Sequence, residues 1–131
     1  MITPIRNTLL VAILLVGLPA AGFIRALPGQ RVYVSSESED ITYSASVGAD
    51  GALGDLKPFC QRGGESVAVD RNGNIYVANG QIFVYSPEGR QIARIDVPGR
   101  PIDIAFGGAR HSTLFILAHH TLFAVNVRGP K

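Results

Sequence analysis

The sequence predicts an all-β fold, a partial β-propeller of about two and a half four-stranded blades that follows an N-terminal signal peptide or anchor helix. Three observations support this prediction. The 131-residue chain is 47% hydrophobic and 17% charged, with 15 Gly and 8 Pro, which is typical of short strands joined by turns. One segment recurs after about 40 residues, the period of a propeller blade. The strands Ile75–Ala78 and Leu114–Ala118 are apolar on both faces, as expected for sheets covered on each side by neighbours.

The N-terminal segment 1–22 has the pattern of a secretory signal peptide. Arg6 precedes an apolar run that starts at Leu9, and Pro19 and small residues follow the run. A basic start, an apolar stretch of about 7–15 residues and a small-residue exit are typical of such signals. A retained membrane anchor is the alternative, although Pro19 interrupts a run shorter than the roughly 18 residues of a spanning helix. We therefore expect an exported protein, periplasmic or secreted, that meets a membrane only through this segment if it stays uncleaved.

Residues 23–30 are predicted to be a linker, and residues 31–131 the propeller domain. The strands of this domain are short, rich in Val, Ile, Phe and Tyr, and bounded by turn residues. The clearest are Val32–Ser35, Ser66–Val69, Ile75–Ala78, Ile82–Tyr85, Ile92–Val97, Ile102–Phe106, Leu114–Ala118 and Leu122–Val125, and the weaker candidates are Ile41–Val47 and Leu56–Phe59. No stretch of the domain has apolar residues at helical spacing behind a good cap.

The repeat extends over three consecutive strands. Segment 66–85 contains the first copy and segment 103–125 the second, each with two turns between its strands. Arg31–Ser35 also matches Asn74–Ala78, which adds half a unit upstream. A β-sandwich is the alternative fold, but a sandwich does not require a repeat of about 40 residues.

The turn residues agree with hairpins between these strands. Asn72-Gly73 and Asn79-Gly80 are strong hairpin signals because both residues of each pair tolerate positive φ. His119-His120 takes the place of Asn79-Gly80 in the second copy. We interpret it as a turn and not as a metal site, since adjacent strand residues point to opposite faces.

Several other chemistries find little support in the sequence. Asp70–Asn74 has the oxygen side chains that open an EF-hand loop, but Ile75 stands where that loop needs Gly, so we predict a hairpin turn capped by Asp70.

The single cysteine, Cys60, excludes an internal disulfide and a cysteine-cluster zinc site. The net charge of +2 is spread along the chain, which excludes a strongly basic nucleic-acid arm. The arginines expected on a solvated outer surface are Arg90, Arg94, Arg100 and Arg110.

The segment Glu65–Ala78 resembles the repeated blade core of the senescence marker protein/gluconolactonase/luciferin-regenerating family. Ile82–Gly89 is similar to that family's strand and its proline-glycine turn, and Pro101–Gly108 to its element ending in Phe-Gly-Gly. Thr113–Ala118 resembles the strand that follows that element. The resemblance covers about residues 31 to 126. It implies a six-bladed propeller in which a central calcium or zinc ion serves the hydrolysis of lactones.

The same resemblance points to one candidate metal ligand. The family's Pro-Asp-Gly motif, which contains a ligand Asp, aligns with Gly64-Glu65-Ser66, so Glu65 takes the ligand position. The family's other ligands belong to earlier blades with no counterpart in this sequence. Because calcium needs roughly six to eight oxygens, Glu65 alone can also be interpreted as a solvated turn carboxylate.

The functional prediction is an exported, gluconolactonase-like propeller that lacks most of its metal site and is truncated or weakly active. No catalytic residue and no organic cofactor site are assigned. The alternative is a non-enzymatic, NHL-like binding module. Because propellers close with about four to eight blades, an open stack leaves two apolar faces uncovered. We therefore expect self-association or association with the missing blades, a small lactone or sugar acid as ligand, and no nucleic-acid partner.

Overall fold

The computed structural model describes Ala12–Leu15 and residues 30–127. This part of the chain forms eleven β-strands and no helix, so none of it is a helix able to cross a membrane. The strands are β1 (Ala12–Leu15), β2 (Arg31–Ser36), β3 (Ile41–Ser46), β4 (Lys57–Cys60), β5 (Ser66–Val69), β6 (Ile75–Asn79), β7 (Gln81–Tyr85), β8 (Gln91–Ile95), β9 (Pro101–Gly107), β10 (Thr113–Ala118) and β11 (Thr121–Asn126).

The strands form three antiparallel sheets, and each sheet is built from strands that are consecutive in the chain. Blade 1 has the order β1-β2-β3-β4, blade 2 the order β5-β6-β7-β8, and blade 3 the order β9-β10-β11. Strand β5 contacts both β1 and β9, so the first strands of the three blades lie side by side. This is the arrangement of neighbouring propeller blades, and the all-β prediction is confirmed.

Strand β1 lies inside the segment predicted as a signal peptide or anchor helix. Its residues pair antiparallel with β2, with Ala12 opposite Ser35 and Leu15 opposite Val32. These four residues are therefore extended, and the predicted anchor helix is not seen in the part of the chain that the structure describes. The other residues of segment 1–22, and residues 23–29 of the predicted linker, lie outside the described residues.

Strands β5 and β6 of blade 2 are buried on both faces, as the sequence predicts for Ile75–Ala78, whereas β8 is largely exposed. All of β5 and the first four residues of β6 are buried. One face packs against blade 3 in a cluster that includes Tyr76, Ala78, Ile82, Ile104, Leu114 and Ile116. The opposite face packs against blade 1 in a cluster that includes Tyr33, Cys60, Val67, Ile75, Val77 and Tyr85. The hydrophobic core thus has a layer on each side of blade 2, and a third, smaller cluster of Val32, Val34 and Val47 belongs to blade 1.

Blade 3 differs from the prediction that Leu114–Ala118 is covered on both faces. Leu114 and Ile116 are fully buried, whereas Phe115 and Leu117 are 37% and 38% exposed. Leu122, which pairs with Leu117, is 65% exposed. Within residues 30–127 no further sheet follows blade 3, so nothing there covers its second face. We call Phe115, Leu117 and Leu122 the open face of blade 3.

The predicted hairpin turns form. Gly73 and Gly80 have φ values of 79° and 67°, and His119 has a φ of 50°. Ala118 pairs with Thr121 across the two histidines, whose ring centroids are 6.5 Å apart. The interpretation of His119-His120 as a turn is therefore confirmed.

Asp70 caps the turn between β5 and β6. Its Oδ1 accepts hydrogen bonds from the backbone N–H groups of Asn72 and Asn74 at 2.8 and 2.9 Å. Its Oδ2 accepts from the side-chain amide of Asn74 and from the hydroxyl of Tyr76. Burial and the charge of Asp70 raise the pKa of Tyr76. Both carboxylate oxygens are engaged within the hairpin, which confirms the capped turn.

Candidate functional site

Glu65 lies directly before β5, at the end of blade 2 where its backbone N–H donates to the carbonyl oxygen of Ala78 at 2.9 Å. Its side chain is only 17% exposed, unlike that of a solvated turn carboxylate. Oε1 is 2.6 Å from Nη2 of Arg100. Oε2 is buried without a hydrogen-bond partner. The predicted metal ligand is thus a largely buried carboxylate with one free oxygen.

Arg100 occupies the equivalent place in blade 3, directly before β9. Its Nη2 is also 2.6 Å from Oε1 of Glu37, which lies in the loop between β2 and β3 of blade 1. One guanidinium nitrogen therefore joins all three blades. The Arg100 side chain is solvated as predicted, with 52% exposure, but it also contacts two carboxylates, because the starts of β5 and β9 meet at the same end of the fold. Arg94 is likewise on the surface, paired there with the exposed Asp96.

Two glycines allow the chain to reach this position. A Cβ added to Gly63 would lie 1.7 Å from the carbonyl oxygen of Ser36, and one added to Gly64 would lie 1.9 Å from that of Ala78. The N–H of Gly64 donates to Oγ of Ser35 at 2.7 Å. Gly64 stands where the family that the sequence resembles has Pro, which has no N–H to donate. This segment therefore depends on glycine for its close passage between blades 1 and 2.

Ser66, which replaces the Gly of the family motif, links blade 2 to blade 3. It is buried, with 3% exposure, and its Oγ donates to Oδ1 of Asp103 at 2.7 Å. The same Oγ accepts from the backbone N–H of Ile104 at 3.2 Å. The departure from the motif thus has a structural role, since it connects the starts of β5 and β9 next to Glu65.

Asp40 links blade 1 to blade 2 in a comparable way. Its Oδ1 accepts from the N–H of Gly63 at 3.1 Å and from the side-chain amide of Asn79 at 3.2 Å. The same amide of Asn79 donates to the carbonyl oxygen of Gly63. Asp40 itself has a φ of 53°. Its carboxylate therefore takes part in the interface between two blades.

Glu65 was predictable from the sequence, whereas the contacts of Arg100, Glu37, Asp40 and Asp103 were not. One signal could have found Arg100. It follows Gly99 and precedes the first strand of its blade, as Glu65 follows Gly64, and equal places in a repeat lie at the same end of the fold. The remaining three make contacts between blades, for which the sequence contains no local pattern.

The described residues do not form the metal centre that the family resemblance implies. Among residues 30–127, no group of three or more His, Cys, Asp or Glu side chains could hold a metal ion. The positive group next to Glu65 is the guanidinium of Arg100. The unpartnered Oε2 is one oxygen, against the roughly six to eight that calcium takes. These residues do not fit a calcium or zinc ion without ligands from elsewhere.

A cavity of about 780 Å³ opens at the opposite end of blades 2 and 3. It is bordered by the turns that follow β5 and β9, and its polar lining includes Arg71, Arg110, His111 and Asn126. Four residues of β5 separate this end from Glu65, a distance of about 13 Å along a strand. The cavity is therefore separate from the cluster around Glu65.

Comparison with known proteins gives one family match and several similar structures. The family model described as SMP-30/Gluconolactonase/LRE-like region matches residues 27–120. No curated protein matches the sequence at a significant level.

Three solved structures illustrate the similarity of fold. A gluconolactonase from Xanthomonas campestris has a TM-score of 0.66 and 24% identity, over 75% of this chain and 34% of that one. Regucalcin, a calcium-binding protein from Agrobacterium tumefaciens, has a TM-score of 0.64 and 20% identity, over 77% and 43%. A luciferin-regenerating enzyme has a TM-score of 0.60 and 15% identity, over 67% and 33%. The match spans less than half the length of each of these structures.

Proposed function

The chain belongs to the SMP-30/gluconolactonase/LRE-like family, and we propose that it supplies three blades of a lactone-hydrolase type of propeller whose metal centre it does not complete by itself. The observation that supports this proposal is the surroundings of the Glu65 carboxylate. This carboxylate takes the family's ligand position and has one unpartnered oxygen. It is nevertheless paired with Arg100, and no group of metal ligands surrounds it within residues 30–127.

The similar structures support calcium as the ion of a completed centre, with zinc as the alternative that the family resemblance implies, and a small lactone or sugar acid as its ligand. They include a gluconolactonase and a calcium-binding regucalcin. The match spans 34% and 43% of those two structures, so the remaining ligands would come from other blades, in a longer chain or in a second copy. The alternative of an NHL-like binding module is not favoured, because the family match is to the gluconolactonase type.

The proposal is tested by measuring the opening of gluconolactone by the purified 131-residue chain, with and without calcium or zinc. We expect no metal-dependent turnover above the spontaneous rate, and no difference between the wild type and Glu65→Gln. Glu37→Gln is the matched control, because it removes the other carboxylate that contacts Arg100. Metal-dependent turnover that Glu65→Gln abolishes and Glu37→Gln leaves intact would overturn the proposal.

We also propose that the protein is exported, on the evidence of the apolar run that follows Arg6. Cleavage after Gly22 would remove β1 and leave β2 as the first strand of blade 1. Expression in a bacterium, fractionation and N-terminal sequencing test this proposal. The chain is expected outside the cytoplasm or at its membrane, and soluble full-length chain in the cytoplasm would contradict export.

We further propose that the chain associates with another copy of itself or with missing blades through the open face of blade 3. Phe115, Leu117 and Leu122 are all exposed there, and contiguous apolar surface favours contact with another protein surface. We expect light scattering to detect oligomers of the purified chain, and Leu122→Lys to reduce them. A wild-type chain that stays monomeric at high concentration would contradict this proposal.

A further inference from the structure

We propose that Arg100 is the resident cation of the Glu65 site and that it keeps divalent metal ions off this carboxylate. Its Nη2 lies 2.6 Å from a carboxylate oxygen of Glu65 and 2.6 Å from one of Glu37. The guanidinium therefore already supplies a positive charge next to Oε1 of Glu65. This inference concerns metal binding and does not depend on whether the chain opens lactones.

The burial of Glu65 explains why a resident cation is needed. A carboxylate that is only 17% exposed is costly to keep in a folded protein unless an opposite charge or hydrogen-bond donors accompany it. Oε2 has no partner, so the charge is balanced through Oε1 alone. Arg100 provides a positive charge that is permanent at any ordinary pH. The blades can therefore meet around Glu65 without a bound ion.

The backbone around Arg100 directs its side chain to this place. Pro101, which fixes its own φ, is fully buried at the start of β9. The preceding Gly99 has a φ of 136° and donates from its N–H to the carbonyl oxygen of Val97 at 2.8 Å. The Arg100 side chain thus extends from a backbone position that lies between a turn and a buried residue. Its guanidinium reaches both carboxylates from a defined backbone position.

The charges of the cluster predict how it responds to metal ions. Glu37, Glu65 and Arg100 together carry one net negative charge, and without the guanidinium they would carry two. A divalent ion that approaches Glu65 in the wild type must either displace Arg100 or lie within a few ångströms of another positive charge, which is unfavourable at any dielectric constant. Removing the positive charge while keeping both carboxylates should therefore raise the affinity for calcium.

The test compares calcium binding by the full chain and by Arg100→Gln, using isothermal titration calorimetry and thermal denaturation with and without calcium. With water completing the coordination of the ion, we expect Arg100→Gln to bind calcium at least tenfold more tightly than the wild type. Because a ligand that binds the native state raises its stability, calcium should raise the Tm of this variant and leave that of the wild type unchanged. If Arg100→Gln folds only when calcium is present, that recovery supports the proposal equally.

Two further variants assign the effect to this pair of residues. The double variant Arg100→Gln/Glu65→Gln should lose the gain in affinity, because the carboxylate that receives the ion is gone. Arg94→Gln, which removes another exposed, ion-paired arginine, should behave as the wild type. Equal calcium affinity of the wild type and Arg100→Gln would overturn the proposal, as would a gain that persists without the Glu65 carboxylate. The lactone assay on the wild type reports separately on the proposed function.

Discussion

Truncation of Leu114 and of Leu117 to alanine tests which face of blade 3 is covered. The two leucines lie on the same strand, three positions apart, and point to opposite faces. Leu114 is fully buried between blades 2 and 3, and Leu117 is 38% exposed on the open face. The same chemical change is thus made in two environments, which makes each variant the control for the other.

The expected losses follow from the burial of the two side chains. Leu→Ala removes three carbon atoms, or about 2.4 kcal/mol of transfer free energy for a fully buried side chain. At Leu114 the cavity left behind adds to this, so we expect a loss of about 3–4 kcal/mol in the free energy of unfolding. At Leu117 about three-fifths of the surface is buried and no closed cavity forms, so the loss should be about 1.5 kcal/mol.

Urea denaturation of the two variants, followed by circular dichroism at low protein concentration, measures this difference. With an unchanged slope, the shift of the midpoint reports the change in stability. Losses of equal size at the two positions would refute the reasoning, because they would mean that the open face of blade 3 is covered in solution. Repeating the measurement at higher protein concentration then shows whether a second copy provides the cover.

Three further predictions concern residues near the blade interfaces. Gly64→Ala should lower the free energy of unfolding by about 3 kcal/mol or more, because its Cβ would lie 1.9 Å from a backbone carbonyl oxygen, a contact that only a backbone shift can relieve. The control Gly51→Ala, at a position with open space and a φ of 81°, should lower it by about 1 kcal/mol. Equal midpoints of the two variants in thermal denaturation would contradict the packing of Gly64. Ser66→Ala should cost about 1–2 kcal/mol because it removes the hydrogen bonds with Asp103 and Ile104. Oδ1 of Asp103 also accepts from the backbone N–H of Ile104, so Asp103→Ala should still cost stability after Ser66→Ala, but less than in the wild type. Fully additive losses in this double-mutant cycle would show that the two side chains do not interact. Burial raises the pKa of the Cys60 thiol, so the native chain should react slowly with a thiol reagent near pH 8 and quickly once unfolded; fast modification of the native chain would contradict this burial. The stability of the native chain should also fall as the pH rises past 9.0, the ordinary thiol pKa, because the unfolded thiol ionises first.

The strands between residues 31 and 126 were predictable because their signals are local. Val, Ile and aromatic residues bounded by Asn-Gly or other turn residues specify a strand and its end within a few positions. Strand β1 was not predictable in this way. An apolar run behind Arg6 matches a signal peptide equally well, and the partner strand β2 begins 16 positions after the end of β1, at Arg31 against Leu15.

The site shows a similar division between local and long-range information. A motif placed Glu65 at the family's ligand position, but its partner could not be deduced from composition or spacing. Arg100 reaches Glu37 over 63 positions of sequence, and only the stacking of three blades brings them together. Likewise, the apolar residues on both faces of Leu114–Ala118 show that either face of the strand can be buried. They do not show whether a neighbouring surface is present to cover each face.

The consecutive order of strands within each blade has a consequence for how the protein acquires its structure during synthesis. Among the described residues, every hydrogen-bonded strand pair joins strands that are consecutive in the chain, so each blade can form as soon as its own residues have left the ribosome. Proteins dominated by such local pairings fold faster than those whose sheets join distant segments. The connections between blades, made by Arg100, Ser66 and Asp40, can form only when the following blade has been made. Folding should therefore proceed stepwise from the N-terminal side, as in repeat proteins whose units contact only their neighbours.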